Sequence, residues 1–272
     1  MNTTTALAPR RAPLEYWFLK FNAPGLAFLA DLIVRPTGAE VRLSFWVDGR
    51  GRVIHAPGAT DLAGEPRVGQ SVIGANASTG AAGGVEWDLR YELGPVWVDP
   101  GRMARALRPF DLELVSAPGT RFSGKVTVDG RAFTFDALPG LIAHYWGARL
   151  PRRWHWLSVN TSSLDVDAVV SHSRLWGLPG PTIAAGYLYL DDRTRSRTIV
   201  SPLNGLVRSS GVPGGDVDLV AWAPSGGTRL RFSAPRVAYN DLGEGILQTL
   251  VGTLDADGQH VEGVAGIEVR GG

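Results

Sequence analysis

The sequence predicts an all-β protein of two consecutive antiparallel β-barrel or β-sandwich domains. Three observations predict it. Apolar and polar residues alternate with period two along much of the chain, as they do in strands with one face buried. The 272 residues include 35 glycines and 18 prolines, a density that suits turns between strands and few helices. Helical spacing is weak throughout, and Pro100–Leu107 is the best candidate for one short helix.

Residues 1–13 are polar, carry Arg10 and Arg11 before Pro13, and lack the apolar stretch of a secretory signal. They read as a disordered tail. Glu15–Phe21 forms the first strand and ends in the turn Ala23–Pro24–Gly25. Leu26–Val34 and Val41–Val47 form a hairpin through Pro36–Thr37–Gly38, followed by Val53–Ala56, Ser71–Asn76 and Val85–Leu93. In the last of these, Val85, Trp87, Leu89, Tyr91 and Leu93 share one face, and Glu86, Asp88, Arg90 and Glu92 share the other. Such a strand belongs to an antiparallel sheet wetted on one side. Leu112–Val115, Arg121–Val128 and Arg131–Phe135 come next, the last two joined by Asp129–Gly130, a strong hairpin signal. Trp154–Asn160 closes the first series.

After Thr161–Ser162–Ser163 a second series begins, with Val166–Arg174, Ile183–Leu190, Thr198–Val200, Val217–Ala223, Leu230–Phe232 and Val237–Tyr239. Ile246–Leu254 and Val261–Val269 complete it. The expected organisation is a tail over 1–13, a first domain over 14–162 and a second over 163–272. Barrels closed or nearly closed are the natural way for so many strands to avoid exposed edges.

Composition narrows the functions. The absence of cysteine excludes disulfides, thiolate metal sites, iron–sulfur ligation and a cysteine nucleophile. A net charge of +1 supplies no global attraction to nucleic acid or an anionic membrane. The longest apolar stretch, Gly25–Val34, contains Asp31 and is too short to span a bilayer as a helix. The expectation is a cytoplasmic protein without a nucleic-acid partner or stable membrane insertion. No G-x-S-x-G elbow, phosphate loop, dinucleotide fingerprint or H-E-x-x-H motif is present. His55, His144, His155, His172 and His260 lack metal-ligand spacing, so neither a metal nor another cofactor is expected. Arg193, Arg195 and Arg197 alternate as one strand face, read as solvated or edge-protecting.

The segment His144–Asn160 is richer. In its strand portion Trp154, Trp156, Ser158 and Asn160 point to one side, an aromatic wall with a polar end. That contrast suits an elongated apolar ligand with one polar group. The same spacing equally suits tryptophans that plug a barrel.

His144-x-Trp146-Gly147 followed by Trp154-x-Trp156, with Glu15–Tyr16–Trp17–Phe18 opening the domain, resembles the superfamily of tocopherol cyclases and carotenoid hydratases. Bacterial lipocalin-like proteins and fungal decalin-forming Diels–Alderases are similar in architecture. Trp87–Tyr91, Leu175–Gly180, Gly186–Leu190 and Gly263–Val269 extend the likeness over most of the chain. The resemblance implies two lipocalin-like domains and a redox-neutral cyclase for a polyene, prenylated or polyketide substrate. The hydratase pattern carries Asp immediately before the histidine, where this chain has Ala143. Without that carboxylate, hydration of an unactivated alkene lacks its strong proton donor.

The resemblance puts His144 beside the cavity, and an unperturbed imidazole titrates near neutrality. Asn160 is a candidate for fixing a carbonyl or hydroxyl. Glu15 heads the first strand on the side of Trp17 and becomes a proton donor if buried; Asp31 interrupts an apolar strand. Trp17, Trp46, Trp87, Tyr91, Tyr145, Trp146, Trp154, Trp156, Ser158 and Trp222 are the expected substrate-binding residues, with core packing as their other reading. A carrier of a lipid, isoprenoid or pigment needs the same apolar site without a placed acid, and a purely structural protein needs neither.

Overall fold

The structure, a computed structural model, describes residues 6–95, 98–99, 112–174, 182–256 and 258–271. It is 71% strand and 2% helix, which leaves no room for parallel sheets with crossover helices. Two nearly closed antiparallel, barrel-like sheets make up the fold.

The first sheet contains β1 (Leu14–Ala23), β2 (Leu26–Arg35), β3 (Gly38–Val47) and β4 (Arg50–Gly58). Three short strands follow, β5 (Thr60–Asp61), β6 (Arg67–Val68) and β7 (Ser71–Ile73). Then come β8 (Ala77–Ala82), β9 (Val85–Glu92) and the long pair β10 (Leu112–Val128) and β11 (Arg131–Gly147). Neighbours in sequence pair with each other, and β1 pairs with β11, so the circle stays open between β4 and β5.

The second sheet repeats this plan. It comprises β12 (Arg153–Asn160), β13 (Asp165–Arg174), β14 (Thr182–Asp191), β15 (Ser196–Ser201) and β16 (Leu206–Gly211). β17 (Val217–Ala223), β18 (Gly226–Ser233), β19 (Asn240–Asp241), β20 (Ile246–Ala256) and β21 (Gln259–Arg270) complete it. Its first strand, β12, pairs with its last, β21, and the gap lies between β15 and β16.

Period-two patterning builds both cores. Trp17, Leu19 and Phe21 of β1 meet Phe28, Phe45, Trp87 and Phe122 inside the first barrel. Leu157, Val159, Val166, Ala168, Leu188, Leu219, Phe232 and Ile267 fill the second. Burial along β9 alternates at every residue, as its sequence predicts. Asp129 and Gly130 both have positive φ, 50° and 83°, the geometry of a two-residue hairpin matched to strand twist.

Several expectations are corrected. The chain divides into compact units, the first mainly residues up to Leu150 and the second mainly Pro151–Gly272. The expected boundary at 162/163 is instead the β12–β13 hairpin turn. Thr161 accepts the Leu164 N–H on Oγ1 at 2.9 Å and donates its own N–H to the Leu164 carbonyl at 2.9 Å. Turn chemistry, not a linker, explains the polar run. The expectation of a disordered tail is corrected at Ala6 and Leu7, which are buried. Arg193 and Arg195 lie between β14 and β15, not on a strand, and Arg193 bonds Asp165 Oδ2 at 2.7 Å and the carbonyls of Thr161 and Ser162. The expected strand Val237–Tyr239 contains a 3₁₀ turn at Arg236–Ala238. Pro100–Leu107 and Leu175–Gly180 lie outside the described residues.

Leu112–Val115 and Arg121–Val128 merge into the single strand β10, whose register shifts between Pro118 and Thr120 and again between Phe122 and Gly124. Gly124 has φ +139°, and a Cβ there would sit 2.2 Å from the Asp88 carbonyl oxygen. Gly124→Ala is expected to destabilise the first unit by about 1–3 kcal/mol, read as a lower denaturant midpoint with an unchanged slope. Among the described residues, no helix is long and apolar enough to cross a membrane.

Candidate functional site

In the first unit, Trp17 stands opposite His144 and Glu15 opposite Trp146 across the β1–β11 ladder. Directly opposed residues share a face, so the pairing brings these four side chains together. Trp17 stacks on the His144 ring at 4.6 Å and 13°, and Trp146 tilts against it at 4.8 Å. Glu15 and His144 are fully buried, with His144 Nε2 2.8 Å from Glu15 Oε1.

A strap, residues Ala6–Arg11, covers the pair. His144 Nδ1 lies 3.0 Å from the Ala6 carbonyl, and Trp17 Nε1 donates to the Leu7 carbonyl at 2.8 Å. The backbone N–H groups of Arg10 and Arg11 donate to Glu15 Oε1 and Oε2 at 2.5 and 2.9 Å. The Arg10 guanidinium lies 5.1 Å from the Trp146 ring centre.

These contacts fix a proton count. A carbonyl oxygen can only accept, so Nδ1 carries a hydrogen. Nε2 faces a carboxyl oxygen, so one further proton must lie between Nε2 and Oε1 for the contact to be a hydrogen bond. Glu15 and His144 together therefore hold a proton away from water.

The other aromatic candidates of this barrel fill space. Trp87 Nε1 donates to Ser78 Oγ at 2.9 Å, and Tyr91 donates to the Gly74 carbonyl at 2.5 Å. Burial holds the Tyr91 phenol well above its usual range, and nearby Glu65 adds to the effect. Both pack in the core with Phe28 and Phe122. A cavity of about 250 Å³ adjoins the strap, lined by Leu7, Ala8, Pro66, Ile73 and Ala75 among others.

Asp31 is not with them. It sits opposite Phe18 on the other face of the sheet and pairs with Arg42 at 2.7 Å. Burial outweighs Arg42 and raises its pKa. Tyr145 shares that face with Phe18, its ring 5.3 Å away, and Trp46 is buried there too.

In the second unit, Trp154, Trp156, Ser158 and Asn160 do share one face, opposite the face bearing Leu157 and Val159, and all four are buried. Trp154 Nε1 donates to Glu268 Oε1 at 2.8 Å, and Gln248 donates to Glu268 Oε2 at 2.7 Å. Ser158 donates to Asn160 Oδ1 at 3.1 Å, Asn160 to Asp165 Oδ1 at 3.2 Å, and Tyr187 to Asp167 Oδ2 at 2.5 Å. The sequence reading missed these acceptors. Their signal is the hairpin register, which sets Asn160 opposite Asp165 and Ser158 opposite Asp167. Trp222 is a correction: it is 56% exposed because its neighbours Ala221 and Ala223 take the inward side of β17. Among the described residues, no three His, Asp or Glu side chains group as metal ligands.

No protein-family model matches the chain. Two uncharacterized Mycobacterium tuberculosis proteins, MT0513 and Rv0493c, are 31% identical over 97 residues, or 34% of this chain. The chain spans 29% of the length of these curated relatives. Solved structures align over nearly all of it. A Nitrosomonas europaea crystal structure assigned to AttH has a TM-score of 0.65 at 12% identity, covering 98% of this chain and 94% of its own. Kievitone hydratase from Nectria haematococca gives 0.65 at 12%, covering 99% and 92%. CghA with Sch210972 gives 0.61 at 11%, covering 95% and 88%. At these identities the likeness is one of fold, and the chain shares its fold with a group of structures that includes a hydratase.

Proposed function

We propose that the protein is a cofactor-independent cyclase. It folds a hydrophobic polyene, prenylated or polyketide substrate and closes a ring without net oxidation or reduction. Glu15 and His144 are its proton-handling pair. The observation that carries this reading is the 2.8 Å contact between His144 Nε2 and Glu15 Oε1, two fully buried side chains among tryptophan rings. Proton donors in apolar surroundings suit alkene activation.

In the proposed step the shared proton passes to one alkene carbon, and the π electrons form the new C–H bond. A second π bond or a hydroxyl of the substrate attacks the resulting cation, closing the ring. The proton lost on closure returns to the pair, so the product is an isomer. The faces of Trp17 and Trp146 stabilise the developing positive charge. Ligand pockets usually measure about 300–1,000 Å³, more than the cavity beside the strap, so substrate entry requires the strap to move. The Trp154–Asn160 face of the second unit is proposed as a binding surface for an apolar molecule with one polar group. The hydratase sharing the fold lends support to an enzymatic role in general.

The test is incubation with linear polyenes and prenylated quinols, with chromatography for isomers of unchanged mass. Glu15→Gln keeps the shape of the pair and is expected to lower turnover by roughly a hundredfold while binding persists. Unchanged turnover would assign ring closure to positioning alone. Substrates that bind and come back unaltered would make the protein a carrier.

A further inference from the structure

Among the described residues, the aromatic side chains of the first unit are buried or half-buried, whereas Trp222 of the second is exposed. Six large hydrophobic side chains are exposed among the described residues, and all fall between Leu203 and Val237. Leu206 stands opposite Trp222, and Val220 stands between Arg208 and Arg229 across the β16–β17–β18 ladder. Their inward neighbours Val207, Leu219 and Ala221 are fully buried, so this row faces out. Val212 and Val237, 65% and 95% exposed, lie in the two turns at the far end of the hairpin. There Tyr239 donates to the Gly215 carbonyl and ties the 3₁₀ turn to the β16–β17 turn.

Charge on this stretch is net positive. Between Leu203 and Val237 lie four arginines, at 208, 229, 231 and 236, against Asp216 and Asp218. That local excess of two exceeds the +1 of the whole chain. Arg229 and Arg231 reach those two aspartates from positions 70% and 56% exposed.

We propose that the outward face of β16–β18, with its two adjoining turns, docks on the surface of an anionic lipid bilayer. Trp222, Leu206 and Val220 enter the boundary between headgroups and acyl chains, where an indole finds both apolar contact and a partner for its N–H. The arginines meet lipid phosphates, which are complementary to their excess charge. The contact is peripheral, made by side chains on a rigid sheet, and leaves the barrel folded. The inference does not depend on the cyclase reading.

The experiment is co-sedimentation of the full chain with vesicles of phosphatidylcholine alone or mixed equally with phosphatidylglycerol. Binding is expected on the mixed vesicles, about tenfold weaker on phosphatidylcholine and weakened by added salt. Trp222→Ser, at an exposed position, is expected to lower binding about tenfold while the thermal midpoint stays put. Arg208→Gln combined with Arg236→Gln should remove the preference for the anionic lipid. Absence of binding to either vesicle overturns the proposal, as does unchanged binding by Trp222→Ser. Concentration-dependent self-association that Trp222→Ser abolishes, without vesicle binding, would assign the face to a second copy of the chain and overturn it equally.

Discussion

His144→Ala is expected to destabilise the first unit by about 3–5 kcal/mol, because it leaves the Glu15 carboxyl buried without the partner that shares its proton. The change also removes the ring stacked on Trp17 and the Nδ1 anchor of the strap. Denaturant titration reads the stability. Trypsin reads the strap, since release should speed cleavage after Arg10 and Arg11, whose backbone N–H groups are held by Glu15. A double replacement, Glu15→Met with His144→Leu, should recover much of the stability, because apolar side chains of similar volume can substitute for a buried ion pair. It should recover no turnover. A stability change below about 1 kcal/mol in His144→Ala would place the pair outside the group of interactions that hold the barrel together.

Acidification is expected to weaken the second unit through His155. Its ring donates to or accepts from Ser209 Oγ at 2.7 Å and is 7% exposed. Burial pushes its pKa down to about 4, and His172 and Arg153 add positive charge nearby. An unfolded histidine titrates near 6.5, so between pH 6.5 and 4 the unfolded chain binds a proton that the folded chain refuses. Stability from this residue is therefore full above pH 6.5, falls through that window and levels off below pH 4. The total loss is about 3 kcal/mol. His172, also held low by burial, acts in the same direction. His155→Gln keeps a side-chain amide for Ser209 and should flatten the curve. Parallel curves for the two proteins would refute the assignment.

Local pattern made much of the fold legible. Alternation fixed β9, and turn residues fixed the β2–β3 and β10–β11 hairpins. Ser71–Asn76 pointed to β7, but β5, β6 and β8 escaped, β8 because Ala77–Ala82 is a run of small and hydroxyl residues without alternation. The site was half legible. Glu15 and His144 drew attention separately, yet they are 129 positions apart, and cross-strand register cannot be read from local sequence. The strap was misread for a related reason: one of its anchors, the His144 ring against the Ala6 carbonyl, comes from 138 positions away. Trp222 misled through size. Parity along β17 puts Leu219 and Ala221 inside and the larger indole outside, against the rule that bulk is buried.

The pairing of first strand with last has a consequence for biosynthesis. Translation delivers β1 early, but Leu14 meets its partner Gly147 only after the rest of the barrel has left the ribosome. Such contacts, distant in sequence, carry a large loop-closure entropy and form slowly. The second barrel repeats the arrangement, with Trp154 waiting for Arg270. Each sheet must therefore grow as an open ribbon and close late. In the first barrel, Glu15 stands on the strand made first and His144 on the strand made last, so no nascent chain that stops short of β11 can assemble the pair or set the His144 anchor of the strap.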